Sequence, residues 1–173
     1  MEGCRHHYAT DASECDNTEE ERLEMNVNQP PSMLNYTELG FSKITAPKKL
    51  FAAIKKFWDE NNGVEGAEEP EDWNAGNTYT NHWDSPTFML NIEDESLRGG
   101  GEKLKKVIWA GAKSTLEKWT KQKLQPCSLY GIRKYTAGAV LAPHVDRLPL
   151  VSSAIINVAQ DLDEPWVSYT ICY

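Results

Sequence analysis

This chain has no long apolar run. Nothing in it approaches the roughly 20 consecutive apolar residues that a membrane-spanning helix needs, which argues against a spanning segment. Its first residues, Met1-Glu2-Gly3-Cys4-Arg5-His6-His7, lack the apolar stretch of a secretory signal. Positive charge is also scarce. Lysine and arginine total 18 against 26 aspartates and glutamates, for a net charge of −8. Nucleic acid and anionic membrane both require a cationic face, so neither is an expected partner. The four cysteines, Cys4, Cys15, Cys127 and Cys172, form no Cys-x-x-Cys pair. Without a secretion signal they read as free thiols of a cytoplasmic protein, not as a disulfide framework. The glycine run Gly99-Gly100-Gly101 lacks the Gly-Lys-Ser/Thr ending of a phosphate loop and reads as a linker.

What is present suffices for a globular domain. The 173 residues are 40% hydrophobic and 25% charged, ordinary for a folded protein with a sizeable core. Residues 1–35 are the exception. Acidic and Asn/Gln/Pro-rich, they offer little to bury and are expected to form a disordered acidic tail. From Thr45 to Gly63 the pattern is helical, with Leu50, Phe51, Ile54, Phe57 and Trp58 on one stripe. A second helix is expected over about 102–123, with Leu104, Val107, Ile108, Ala112, Leu116 and Trp119 inward. Residues 77–83 read as a strand, and Phe88-Met89-Leu90 continue the β character. Beyond Pro126, residues 128–135, 139–141 and 151–159 all read as strands, the first two joined by a turn at Thr136-Ala137-Gly138. Helices followed by strands predict an α+β domain with helices on one face of a sheet.

One constellation carries chemistry. His144-Val145-Asp146 follows an apolar segment, and Pro143 restrains the backbone beside it. In an extended chain, residues two apart point to the same face. A histidine and a carboxylate so placed are two ligands of the 2-His-1-carboxylate triad of non-haem Fe(II) enzymes. The tripeptide alone is weak, arising by chance in about one chain of this length in five. Its surroundings add weight: Tyr135 stands nine residues before the histidine, ahead of the turn at Gly138.

The stretch Tyr130-Gly-Ile-Arg-Lys-Tyr-Thr-Ala-Gly-Ala-Val-Leu-Ala-Pro-His-Val-Asp146 resembles the first metal-binding hairpin of prolyl 4-hydroxylase-like Fe(II)/2-oxoglutarate dioxygenases. The resemblance extends from about Cys127 to Pro165, where residues 152–158 look like the next barrel strand. It implies a double-stranded β-helix, here partial, on N-terminal support helices, with 36–173 forming an incomplete oxygenase-like domain. It also implies Fe(II) on His144 and Asp146, and 2-oxoglutarate contacting Tyr135. Ascorbate would be a possible reductant, and a peptidyl segment the substrate. The reaction class is oxidative decarboxylation of 2-oxoglutarate to succinate and CO2, coupled to hydroxylation of a C–H bond, with iron and cosubstrate carrying the hard step. Leu141 departs from the family, where many prolyl hydroxylases carry a second tyrosine. That weakens an inference to peptidyl-proline.

Two expected parts are missing. The family places a second histidine and a basic residue for the far carboxylate of 2-oxoglutarate on later strands. No histidine follows Asp146, and the only later basic residue is Arg147. The expectation is therefore a truncated oxygenase, inactive alone, with open sheet edges. A non-catalytic interaction module, using exposed tryptophans among Trp58, Trp73, Trp83, Trp109, Trp119 and Trp166, is the alternative. A third reading adds His82 to His144 and Asp146 as a metal site, although strand order favours a structural role for His82. His6 and His7, with Cys4 and Cys15, match no standard zinc spacing.

Overall fold

The computed structural model describes residues 1–163. Helices and strands are mixed. In chain order they are α1 (Glu2–Tyr8), a 3-10 turn (Ala9–Asp11), α2 (Ala12–Ser32), α3 (Lys48–Asn61), β1 (Glu69–Pro70), β2 (Thr87–Leu90), α4 (Glu102–Thr120) and β3 (Ile132–Tyr135). The three strands form one small sheet in the order β1-β2-β3. β1 and β2 run antiparallel, with Glu69 opposite Met89 and Pro70 opposite Phe88. The coarse expectation of an α+β chain is thus met by a small sheet of short strands.

The chain divides into two compact units. The first comprises Met1–Leu34, Glu69–Met89 and Arg133–Arg147. The second comprises Asn35–Glu68, Leu90–Ile132 and the chain from Leu148.

The second unit holds the apolar core. Leu50, Ile54 and Phe57 of α3 and Leu104 and Ile108 of α4 are buried with Ala67, Leu90 and Ile92. These are the stripes that the sequence predicts, and helix packing follows from burying them together. Gly111 permits the close approach of the two helices, because a Cβ there would lie 2.8 Å from Leu50 Cδ1. Asn61 ends α3 inside the core at 2% exposure. Its Nδ2 donates to the Phe57 and Arg98 carbonyls at 2.7 and 3.0 Å, and its Oδ1 accepts from the Arg98 N–H at 3.0 Å. Residues 151–159, expected to be a strand, carry no ladder. Ile156 and Val158 pack against the core instead, while Val151 and Ile155 stay exposed.

The first unit corrects the reading of the N-terminus. The expected disordered tail is helical over most of its length. Cys4 and Cys15, expected to be free thiols, form a disulfide that joins α1 to the start of α2, their Cα atoms 6.1 Å apart. Eleven residues separate them, and the turn between the two helices brings them together, which no spacing rule reveals. A buried disulfide is at home in an oxidising compartment, so cysteine usage no longer supports the cytoplasmic expectation. Among the described residues, no helix is long and apolar enough to cross a membrane.

The inward face of α2 is polar. Cys15, Glu19, Arg22, Asn26 and Gln29 recur at three- and four-residue spacing and are buried or half-buried, while Leu23 and Val27 face outward. Such a helix shows no apolar stripe, yet it has a docking face.

Candidate functional site

The segment that carries the candidate site runs from the turn after β3 to Arg147. It belongs to no sheet, apart from a single bridge between Leu141 and Thr80. Its backbone is held instead by hydrogen bonds from neighbouring residues, most of them from side chains. The Ala142 N–H donates to the Tyr79 carbonyl at 2.8 Å. Asn81 accepts from the Val140 N–H at 2.7 Å and donates to the Gly138 carbonyl at 2.9 Å. From α2, Asn26 donates to the Pro143 carbonyl at 2.9 Å and accepts from the Val145 N–H at 3.0 Å. Arg22 also donates to the Pro143 carbonyl, and Gln29 donates to the Asp146 carbonyl at 2.5 Å. The expected strand at 77–83 is reduced to the Thr80 bridge. Tyr79 and Asn81 still brace the segment from one side as α2 grips it through side-chain hydrogen bonds.

His144 and Asp146 come together as their spacing requires. His144 Nε2 lies 3.9 Å from Asp146 Oδ1, with 28% and 43% of the two side chains exposed. His144 Nδ1 sits 2.8 Å from the Ala142 carbonyl oxygen. A carbonyl can only accept, so Nδ1 carries the proton and Nε2 is left to bind. Metal-ligating histidines are oriented by this kind of bond. The imidazole also meets the Tyr79 ring edge-on at 5.7 Å. Among the described residues, no three His, Cys, Asp or Glu side chains converge in a metal-holding group.

Tyr135 stands at the end of β3, two residues beyond Arg133. Arg133 in turn pairs with Glu71 through Nε–Oε2 at 2.6 Å and Nη2–Oε1 at 2.8 Å, and covers the Trp73 ring at 5.4 Å. This half-buried cation, unremarked in the sequence, is balanced by the Glu71 carboxylate.

His82 has a different setting from that supposed by the three-ligand reading. Its Nε2 is 2.7 Å from the Tyr8 hydroxyl and its Nδ1 is 3.0 Å from Thr80 Oγ1. Trp83, Trp73 and His7 surround the ring, with centroids 5.1, 6.3 and 6.3 Å away. Burial, with the neighbouring His7, holds its pKa below the ordinary histidine value. Burial, helped by Asp72, pushes the Tyr8 hydroxyl up. With both ring nitrogens engaged, His82 ties α1 to the rest of its unit. His6 and His7 are exposed on α1, and Cys4 and Cys15 are spent on the disulfide.

Sequence reasoning missed Arg22, Asn26, Gln29 and Asn81. The only available signal was the spacing 22, 26 and 29, one helix face, carried by polar residues. The five described tryptophans, Trp58, Trp73, Trp83, Trp109 and Trp119, are half-buried; Trp166 and the stretch 167–173 lie outside the described residues.

No protein-family model, no curated protein and no solved structure matches this chain.

Proposed function

We propose that this chain carries the metal-binding segment of an Fe(II)- and 2-oxoglutarate-dependent dioxygenase of the prolyl 4-hydroxylase-like kind, with His144 and Asp146 as two iron ligands. One observation carries the reading. His144 is locked by Ala142 into the tautomer that frees Nε2, and that nitrogen faces a carboxylate 3.9 Å away. The donors fit a borderline divalent metal: an imidazole and a carboxylate, side by side and open to solvent. Both belong to a segment whose backbone is held beside them at the Pro143 and Asp146 carbonyls and the Val145 N–H.

When bound, iron and 2-oxoglutarate supply oxidative C–H chemistry. The contribution of this chain is to hold and orient. His144 and Asp146 hold one side of the metal. Tyr135 is assigned to 2-oxoglutarate by the same resemblance. Arg133 beside it is neutralised by Glu71 and supplies no free charge for the far carboxylate. The β-helix scaffold of the family belongs to this proposal too; the small sheet provides the strand on which Tyr135 stands.

Two protein ligands hold Fe(II) more weakly and less directionally than three. The chain as given is therefore expected to bind one Fe(II) loosely and to form no succinate above background. Anaerobic isothermal titration with Fe(II) tests this. The expected result is one site per chain, lost in Asp146→Ala and in His144→Ala. Binding that survives both substitutions would refute the assignment. Rapid succinate production would show that the site is already complete.

A further inference from the structure

Two asparagines make the same unusual contact with the candidate site. Asn81 bridges the Gly138 carbonyl and the Val140 N–H, while Asn26 bridges the Pro143 carbonyl and the Val145 N–H. Each amide thus joins the C=O of one residue to the N–H two residues on. In an extended chain those groups point to the same edge, where a neighbouring strand would pair. A side-chain amide, with a donor and an acceptor on one plane, can take the place of that strand's peptide. Between Gly138 and Val145, where a lone bridge at Leu141 is the segment's only ladder contact, these two amides take that place.

We infer that Asn26 and Asn81, supported by Arg22 and Gln29, are positioning residues that preset the metal pair. They fix the backbone on both sides of His144, so that His144 and Asp146 face the same way before a metal arrives. The inference rests on the metal-pair reading above and adds what the pair needs from the rest of the chain.

Three features separate this from ordinary helix docking. The inward face of α2 buries Cys15 and Arg22 and half-buries Asn26 and Gln29, while Leu23 and Val27 are left 49% and 69% exposed. A helix docking for burial alone would turn those apolar side chains inward. The grip is also directed at backbone atoms on either side of the two ligands, at Pro143, Val145 and Asp146. Finally, Arg22 is held at both ends. Both Glu19 oxygens take Arg22, at 3.0 and 2.8 Å, leaving its remaining nitrogen for Pro143. Directional polar contacts set geometry where apolar ones would only set proximity.

Asn26→Asp is the informative variant. It is isosteric and keeps an acceptor for the Val145 N–H, but it loses the donor and sets a carboxylate against the Pro143 carbonyl. Two readouts are compared with the wild-type chain. The first needs no metal: the nuclear Overhauser effect between the His144 ring and the Asp146 β-protons, with exchange of the Val145 amide. The second is Co(II) affinity and its visible absorption spectrum. We expect Asn26→Asp to lose the Overhauser contact, to speed Val145 exchange and to weaken Co(II) by about tenfold to a hundredfold with an altered spectrum. Gln29→Glu, at the helix end, should act in the same direction more mildly and serves if Asn26→Asp fails to fold. Wild-type contact and affinity in a folded variant would overturn the positioning role and leave the metal pair standing. A wild-type chain that binds no Co(II) would overturn the metal reading, and with it the purpose assigned to the clasp.

Discussion

Replacing Asn61 by leucine should cost more stability than any comparable change of a single polar side chain on the surface of the second unit. The side chain is 2% exposed and makes three hydrogen bonds to backbone: two to carbonyls, at Phe57 and Arg98, and one from the Arg98 N–H. Together they tie the last turn of α3 to the loop that precedes α4. Leucine has a similar volume, so the cavity contribution is small. What is lost is about 1 kcal/mol for each net hydrogen bond, and the Arg98 N–H is left without its acceptor. The total is about 3 kcal/mol. For a protein of this size, each kcal/mol moves Tm by about 2–4 °C, so the expected fall is about 6–12 °C. Urea unfolding followed by far-UV circular dichroism gives the free energy independently, as a lower midpoint at unchanged slope. Asn61→Asp should be no better than leucine, because a carboxylate would face two carbonyl oxygens. A leucine variant within about 0.5 kcal/mol of wild type would refute the argument, since that is the range of an unconstrained surface site.

Other outcomes follow from the same structure. Phe57→Ala removes the largest side chain of the buried core and should cost about 3–5 kcal/mol in the same denaturation assay. Cys4→Ser opens the Cys4–Cys15 bridge, whose eleven-residue separation corresponds to about 3 kcal/mol of chain entropy, read as a lower midpoint that dithiothreitol does not lower further. Gly138→Ala should destabilise the first unit by about 1 kcal/mol or more, because φ is 82° there and the new Cβ would lie 2.9 Å from Ser85 Oγ. His82 gives a pH dependence of known sign. Its folded pKa lies below the ordinary value of 6.5, so the unfolded chain binds the proton more readily. Its contribution to stability is present above about pH 6.5 and is lost as the pH falls through the lowered folded pKa. Unfolding free energies measured from pH 7.5 to 5 should therefore fall more steeply for wild type than for His82→Gln, and parallel curves would refute the assignment.

The parts of the fold that were legible in the sequence are those that bury apolar stripes. The helix expected between Thr45 and Gly63 forms over Lys48–Asn61, and the one expected over 102–123 forms over Glu102–Thr120. Phe88-Met89-Leu90 does fall in a strand. Two errors have one cause. Hydrophobic pattern reports burial and says nothing of how a backbone is paired. In residues 151–159 the apolar pattern predicts a strand, but only Ile156 and Val158 reach the core and no ladder forms. α2 is polar because its inward face bonds to a backbone, so polarity alone predicts a tail where a helix forms. At the site, the proximity of His144 and Asp146 was legible from their two-residue spacing. Their supports at Arg22, Asn26, Gln29 and Asn81 were not, because a side-chain amide bonding to backbone leaves no periodic signal and joins positions more than a hundred residues apart in the case of α2. The separation of His82 from the pair was anticipated by chain order, but its hydrogen bonds to Tyr8 and Thr80 were not.

The central claim is that His144 and Asp146 share a metal. The most direct test is a crystal of the chain soaked in Mn(II), with anomalous diffraction collected for that metal. The account predicts one peak within about 2.3 Å of both His144 Nε2 and an Asp146 carboxylate oxygen, with the His144 Nδ1 bond to Ala142 intact. A peak elsewhere, for instance at the exposed His6 and His7, or no peak at a concentration that saturates binding in solution, would contradict it.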